Sequence, residues 1–515
     1  MNYNTNYNRL LFRNETVYAA WQTYDRAMCD EVNADVNFTA VTESILFQDK
    51  EYPIYFLQYP VNDIESAEMR KEVFNELYKD PDLCESLREY VLNLNRLNKL
   101  RGLTFDSKNT VQKQYYHLQT AEHYCECVEI LYTILTGRKS KLLTDLFTRI
   151  NEIRLDNTYL VMKHETEKLT REFDGMQQMN ISFDYPKGLL RYEKNDGKEF
   201  TLAKYAMDLL GIELNSTFSV VNSNPITAFE EAILDYCSAE YPETISALDK
   251  FYSDYSDIDV YEFIHLKPQI KFYTSYINFI NRLEAEGCKF TLPEYSNGFH
   301  ARDAYDLSLT LSIDDKKKVV SNDIDLTHGD IFVLSGPNQG GKTTFVRTVA
   351  ITVILALNGC YAPCRSCQIP YYDKLITHFN KSEVLGKGGR LQEELSRISE
   401  ILKFTTADTM LLFNECFAST RRIDGAALSL KLLDKLFSIK CSGGFVTHYY
   451  EIADKDKRLI SLTSGVESDG EKDDIRTYKI TPSPPGGSAY AKTIAQRYGI
   501  TFEQMEVLID EHKKH

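Results

Sequence analysis

Residues 331–344 read IFVLSGPNQGGKTT, in which a loop follows the strand IFVLS and opens a helix. A strand that turns through glycines into a helix leaves few folds open to the chain. Gly336 to Thr343 fits the pattern GxxxxGK[ST]. Its glycines let backbone N–H groups curl around phosphate oxygens, Lys342 supplies a point charge, and Thr343 offers a hydroxyl for Mg²⁺. The phosphate-contacting candidates are therefore Gly336, Pro337, Asn338, Gln339, Gly340, Gly341, Lys342, Thr343 and Thr344. A chance glycine turn is the competing reading, and motifs downstream weigh against it.

The rest of the carboxyl-terminal half has the grammar of a mostly parallel α/β sheet. LSLTLSI (307–313) and IDLTHGDIFVLSG predict strands, as do TMLLF and GGFVTH, with helices after Lys342, Arg390 and Asp424. Ligands of such sheets collect at the strand carboxyl ends. There TMLLFNE delivers Asn414 and Glu415. A carboxylate at this point orients the water that attacks a γ-phosphate, a role that falls to Glu415. Asn414 stands where an acid ordinarily supports Mg²⁺. Its amide oxygen accepts a hydrogen bond but carries no charge, which predicts weaker metal support and slow hydrolysis, or nucleotide binding with no turnover. His448, at the end of GGFVTH, is a candidate γ-phosphate sensor with Asp424 as a possible partner. In Leu385 to Leu402 a glycine-rich turn stands in front of an amphipathic helix and can face phosphates of another subunit through Gly388 and Gly389. Arg390 is either a transition-state charge or a solvated first-turn residue.

Upstream, helical spacing dominates. Met69, Val73 and Leu77 recur at four-residue steps before Pro81, then Leu83, Leu87, Tyr90, Leu94 and Leu97. Leu118, Ala121, Cys125, Val128, Tyr132 and Leu135 form a third stripe. Each reads as helix packing. Helical signals resume over 229–236 and 268–286, and MNISFDYPKGLLRYEKNDG suggests a small hairpin. The first forty-five residues are Asn- and Tyr-rich and read as an arm or one irregular helix.

Composition narrows the classes. Eleven cysteines without a framework spacing fit a reducing cytoplasm, and the lone CxxC, Cys364 to Cys367, reads as packing rather than a metal or redox pair. No apolar run predicts a membrane span, and MNYNTNYNRLLF lacks the pattern of an export signal. A net charge of −16 argues against a broad non-specific nucleic-acid footprint but leaves room for a local basic channel. KKK at 316–318 reads as a strand-to-strand turn.

The order of these motifs is familiar. Residues 301–515 resemble the ATPase domain of the MutS family, mismatch-repair proteins within the ABC-type ATPases. GPNQGGKTTFVR is similar to that family's GPNMGGKST loop, STRRIDG to its STxxDG pattern, and VTHYYEIA to its switch. GCYAPC followed by IPYYDKLITHF resembles its next loop and strand, and SAYAKTIAQRYGIT its dimerising carboxyl-terminal element. In VVSNDIDL, the resemblance implies that Val319 and Val320 flank an adenine. LQYPVNDIESAEMRKEVFNELYKDP is similar to the start of the family's helical core.

The implied architecture is an all-α lever/core domain followed by an α/β ABC-type (P-loop) ATPase domain. Its divisions would be 1–45 (arm), 46–300 (core and levers with at most a reduced clamp), 301–485 (ATPase) and 486–515 (dimerisation element). The resemblance further implies ATP and Mg²⁺ as ligands, a homodimer, and an ATP-gated clamp on double-stranded DNA, mismatched or branched. A protein partner in place of DNA is the alternative, and no membrane is involved. Departures accompany the matches: Asn414 aligns with an aspartate, Gly389 with the signature serine and Ala418 with an arginine. No Phe-x-Glu reader precedes the levers, and no nuclease module is expected after the ATPase.

Overall fold

The computed structural model describes residues 9–23, 26–176, 179–184, 189–194, 238–239, 241–379, 390–449, 452, 456–467 and 475–482. Some of the helices begin where polar side chains take up the first free N–H groups. Asn14 accepts from Val17 N–H ahead of α1 (Glu15–Gln22), and α2 (Ala27–Asp35), α3 (Phe38–Gln48) and α4 (Tyr55–Gln58) come next. Asp63 caps α5 (Ile64–Lys79) through Ser66 N–H. Asp80 accepts from Leu83 N–H at 3.0 Å at the start of α6 (Pro81–Asp106), where Pro81 costs no hydrogen bond.

By contact the described chain divides into two units, one built mainly from 85–139 and 143–267 and the other from 7–84, 140–142 and 268–515. The first unit is helical. It contains the later part of α6, then α7 (Thr110–Leu135), α8 (Lys141–Leu155) and α9 (Asn157–Met176). An antiparallel hairpin, β1 (Met179–Asp184) with β2 (Leu189–Lys194), comes after them, and then α10 (Pro242–Asp254) and α11 (Tyr261–Ile264). Leu87, Tyr90, Leu94 and Leu97 of α6 and Leu118, Ala121, Cys125 and Val128 of α7 are buried, as their spacing predicts. Tyr132, in the same stripe, is half-buried, with the Arg154 guanidinium 3.7 Å from its ring centroid. Arg149 meets Glu262 through two hydrogen bonds of 2.9 Å, fastening α8 to α11. The helical signal over 229–236 lies outside the described residues.

In the second unit the amino-terminal stretch is not an arm. Its described part forms three helices, of which Ala27–Asp35 packs against the strand Lys374–Phe379, and its aromatic residues and one aspartate are core groups. Asp35, buried at the end of α2, accepts from Thr377 Oγ1 at 2.8 Å and Phe379 N–H at 3.3 Å. Phe12, Trp21 and Phe56 pack together, and Arg70 is wholly buried between Phe12 and Phe272 of α12 (Leu266–Ala285). Residues 7–84 thus group with 268–515, so the divisions at 45 and 300 cut across a contact unit. The element 486–515 lies outside the described residues.

LSLTLSI, expected as a strand, is a helix, α13 (Leu307–Ser312). Asp306 explains the difference. It accepts from Leu309 N–H at 3.2 Å and Ser308 Oγ at 2.7 Å, a cap that a period-two apolar pattern conceals. KKK forms a 3₁₀ turn after this helix rather than a strand-to-strand turn, and Lys316 Nζ donates to the Thr310 and Ile313 carbonyls, both at 2.7 Å.

Ten strands are described in this unit. They are β3 (Glu294–Tyr295), β4 (Gly298–Ala304), β5 (Asn322–Thr327), β6 (Ile331–Ser335), β7 (Ser366–Ile369), β8 (Lys374–Phe379), β9 (Thr409–Asn414), β10 (Ser442–Val446), β11 (Ile460–Glu467) and β12 (Ile475–Pro482). A six-stranded sheet runs β12-β11-β6-β10-β9-β8, parallel except for β12, and a smaller sheet runs β3-β7-β4-β5. Helices α14 (Lys342–Leu357), α15 (Arg390–Phe404) and α16 (Arg422–Ile439) alternate with the strands. Within the large sheet, β6 and β8 are separated in space by β10 and β9, which opens a crevice at their carboxyl ends. Gly444 lets β10 lie close to β6, since a Cβ there would meet Phe332 Cζ at 2.1 Å. No described helix is long and apolar enough to cross a membrane.

Candidate functional site

The loop from Gly336 to Gly341 joins β6 to α14 at that crevice. It turns through positive φ at Gly336 (133°), Gln339 (61°) and Gly341 (88°), which exposes successive amides on one side. Its other side rests on β11. A Cβ at Gly336 would lie 2.2 Å from Ser464 Oγ, and one at Gly340 2.5 Å. Lys342 opens the helix with its ammonium folded over the loop, donating to the carbonyls of Gly336 at 3.0 Å and Pro337 at 2.9 Å. Burial pushes this ammonium below the usual lysine value, and the charge of Glu415 opposes that shift.

A cavity of about 660 Å³ lies over the loop. Asn338, Gln339, Gly341, Lys342, Thr343, Thr344 and Glu415 line it. Val319 and Val320 line it too, together with Leu309, Ile313, Lys318, Asn322 and Tyr478. The volume suits a ligand of nucleotide size, and the lining combines apolar side chains with the glycine loop and an ammonium.

Glu415 comes directly after β9 with φ of 59° and is pinned by its own N–H, which donates to the Val446 carbonyl at 2.9 Å. His448 Nε2 lies 2.9 Å from Glu415 Oε1, so the partner of His448 is Glu415, where the sequence suggested Asp424. Asp424 sits in the first turn of α16. Asn414 Oδ1 is buried and has no hydrogen-bond partner among the described residues. Two residues beyond Glu415, Phe417 is also left-handed (φ 60°). Its N–H donates to Glu394 Oε1 at 2.7 Å and its carbonyl accepts from Tyr449 Oη at 2.9 Å. Together these fix a carboxylate in the cavity lining, an imidazole against that carboxylate and an unmet amide oxygen on the residue before it.

Gly388 and Gly389 lie outside the described residues, and so does the side chain of Arg390, whose backbone begins α15. Cys364 and Cys367 are both buried, and Cys364 Sγ donates to the Ala362 carbonyl at 3.8 Å.

The strand β12 contributes residues that the sequence did not single out. Tyr478 joins the cavity wall, and Arg476 donates to Gln339 Oε1 at 2.6 Å. Asn322 binds this strand to β5 by donating to the Tyr478 carbonyl at 3.3 Å and accepting from Ile480 N–H at 2.7 Å. Nothing local in RTYKITP marks it as a ligand-facing strand, since the pairing that brings it here is set by the sheet.

Residues 332–501 match the family model described as MutS domain V. The DNA mismatch repair protein MutS of Clostridioides difficile is 24% identical over 473 residues, covering 81% of this chain and 48% of that protein. That of Staphylococcus haemolyticus is 26% identical over 308 residues, covering 57% and 33%. That of Orientia tsutsugamushi is 36% identical over 146 residues, covering 28% and 16%. The chain thus spans less than half the length of each of these relatives.

Proposed function

From the premise that the chain is a MutS-related family member, we propose that it is an ATP-binding and slowly ATP-hydrolysing protein that acts as a homodimeric clamp on DNA. The observation that carries this reading is the meeting of Lys342, the glycine loop and the Glu415–His448 pair around one cavity. The relatives' printed name, DNA mismatch repair protein, favours mismatched duplex as the DNA ligand, with branched duplex the other candidate.

In this reading the loop amides and Lys342 hold the triphosphate, and Val319 and Val320 flank the base. Glu415 orients a water for in-line attack while His448 holds the Glu415 carboxylate in position. A divalent cation fits the residues present. Asn414 Oδ1, buried and unmet, and the Thr343 hydroxyl would hold Mg²⁺, directly or through its waters. The ion would neutralise phosphate charge. Since Asn414 brings no charge of its own, metal support is weakened and turnover slow. The Gly388–Gly389–Arg390 turn of a second copy would complete each site, so that ATP links two protomers and shifts them toward a closed state.

The net charge of −16 favours one other reading, a nucleotide-gated scaffold for a protein partner. Two measurements decide. Sedimentation with ATP and Mg²⁺ is expected to show a dimer, and a chain that stays single removes the clamp. Anisotropy titrations on plain, mismatched and branched duplexes, across salt and with and without ATP, are expected to show ATP-dependent, salt-sensitive binding. No binding to any duplex at low salt removes DNA and leaves the scaffold.

A further inference from the structure

Next to Glu415, three donor side chains from three different elements converge. His378 is on β8, Glu394 on α15 and Cys416 directly after Glu415. One donor atom from each lies within 4.8 Å of the others. His378 is 5% exposed and Cys416 2%, and the Glu394 side chain is 12% exposed. His378 Nε2 stands 3.5 Å from Glu394 Oε1, longer than an ordinary hydrogen bond, and His378 Nδ1 has no partner among the described residues. A buried imidazole left in this state is costly as mere packing.

We propose that His378, Glu394 and Cys416 form a site for a thiophilic divalent cation of the zinc class. The donor set is one imidazole nitrogen, one carboxylate oxygen and one sulfur, the mixture that such ions select and that Mg²⁺ does not. With the thiol deprotonated, the two anionic ligands balance a divalent charge. The Cys416 proton leaves to solvent as the metal–sulfur bond forms, and no electron is transferred. Metal–ligand bonds of about 2.0–2.3 Å put tetrahedral donors roughly 3.3–3.8 Å apart, so side-chain rotation of about an ångström draws the three inward. Glu394 already has its outer support in the Phe417 N–H donor at 2.7 Å, and a carboxylate retains further lone pairs for a metal. A water completes the coordination. An ion here would fasten α15, which begins one residue after Gly389, to the segment that carries Glu415.

The test uses the full, reduced chain, stripped with chelator and titrated with Co²⁺ in the absence of nucleotide, so that its outcome is independent of the ATPase reading. A saturable cobalt–thiolate charge-transfer band that reaches its plateau at a single equivalent per chain is expected. Cys416→Ser should lose that band, Glu394→Gln should weaken binding by at least about tenfold, and a Cys364→Ser/Cys367→Ser control should bind as the parent does. Glu394→Gln keeps the test decisive if Cys416→Ser fails to fold. No band at a single equivalent in the folded parent overturns the site. So does an unchanged band in Cys416→Ser, or parent-like affinity in Glu394→Gln.

Discussion

Replacing Asn414 by aspartate restores one charge at a position where the native oxygen is buried and unmet. In the unliganded chain the new carboxylate gains no described donor and stands next in sequence to the charge of Glu415. It should therefore destabilise by about 1–3 kcal/mol, the usual cost of an unsatisfied buried group. With Mg²⁺ and nucleotide present the sign reverses. A hydrogen bond to a charged acceptor contributes about 1.5–3 kcal/mol against about 0.5–1.5 for a neutral one, a gain of roughly 1–1.5 kcal/mol. That corresponds to about a tenfold tighter hold on the metal. Asn414→Asp is therefore expected to melt lower than the parent in chelator and to recover that loss in Mg²⁺–nucleotide. In single-turnover hydrolysis, its half-saturating Mg²⁺ should fall about tenfold while the rate rises. Unchanged metal dependence and unchanged turnover, in a variant that folds, would refute the assignment of Asn414 to the metal.

Glu415→Gln should slow hydrolysis by about 10²–10⁴-fold while the nucleotide dissociation constant moves less than about twofold, read by single turnover and by equilibrium titration. Gly444→Ala puts a methyl group 2.1 Å from the buried Phe332 ring and should cost about 1–3 kcal/mol in denaturant unfolding. Asp35→Ala leaves the Phe379 N–H and Thr377 hydroxyl unmet, and should destabilise by about 1–3 kcal/mol and expose the amino-terminal helices to limited proteolysis. Burial raises the Asp49 carboxyl, but hydrogen bonds from Lys271 Nζ at 2.6 Å and Ser275 Oγ at 2.6 Å outweigh it and hold the group below its ordinary value. Its contribution is complete above the unfolded value and disappears as pH falls through the lower folded one. Lys271→Met should therefore cost more stability at about pH 7 than at about pH 3, measured by melting.

What the sequence makes legible is what local chemistry decides. The run from Ile331 to Thr344 announces its strand, turn and helix because glycine, lysine and apolar spacing each act within a few residues. The stripes at Leu87 to Leu97 and Leu118 to Val128 are legible for the same reason. LSLTLSI misleads because so short a run gives periodicity too little weight against one capping aspartate, Asp306. The Asn- and Tyr-rich start hides packed helices because Asp35 finds its partners in Thr377 and Phe379, far along the chain. Tyr478, Arg476 and the pairing of His448 with Glu415 depend on strand order, which no window of residues encodes.

Ser464 supports the underside of the glycine loop from a strand that is synthesised long after it. On the ribosome, then, β6 and its turn emerge without a floor, and the nest cannot hold its final curvature until β11 has docked beside β6. A chain truncated before residue 460 would carry every residue of the GxxxxGK[ST] signature and still lack a rigid cradle. Completion of the glycine loop is in this sense a late event in biosynthesis, and the finished sheet sets the curvature of the loop it carries.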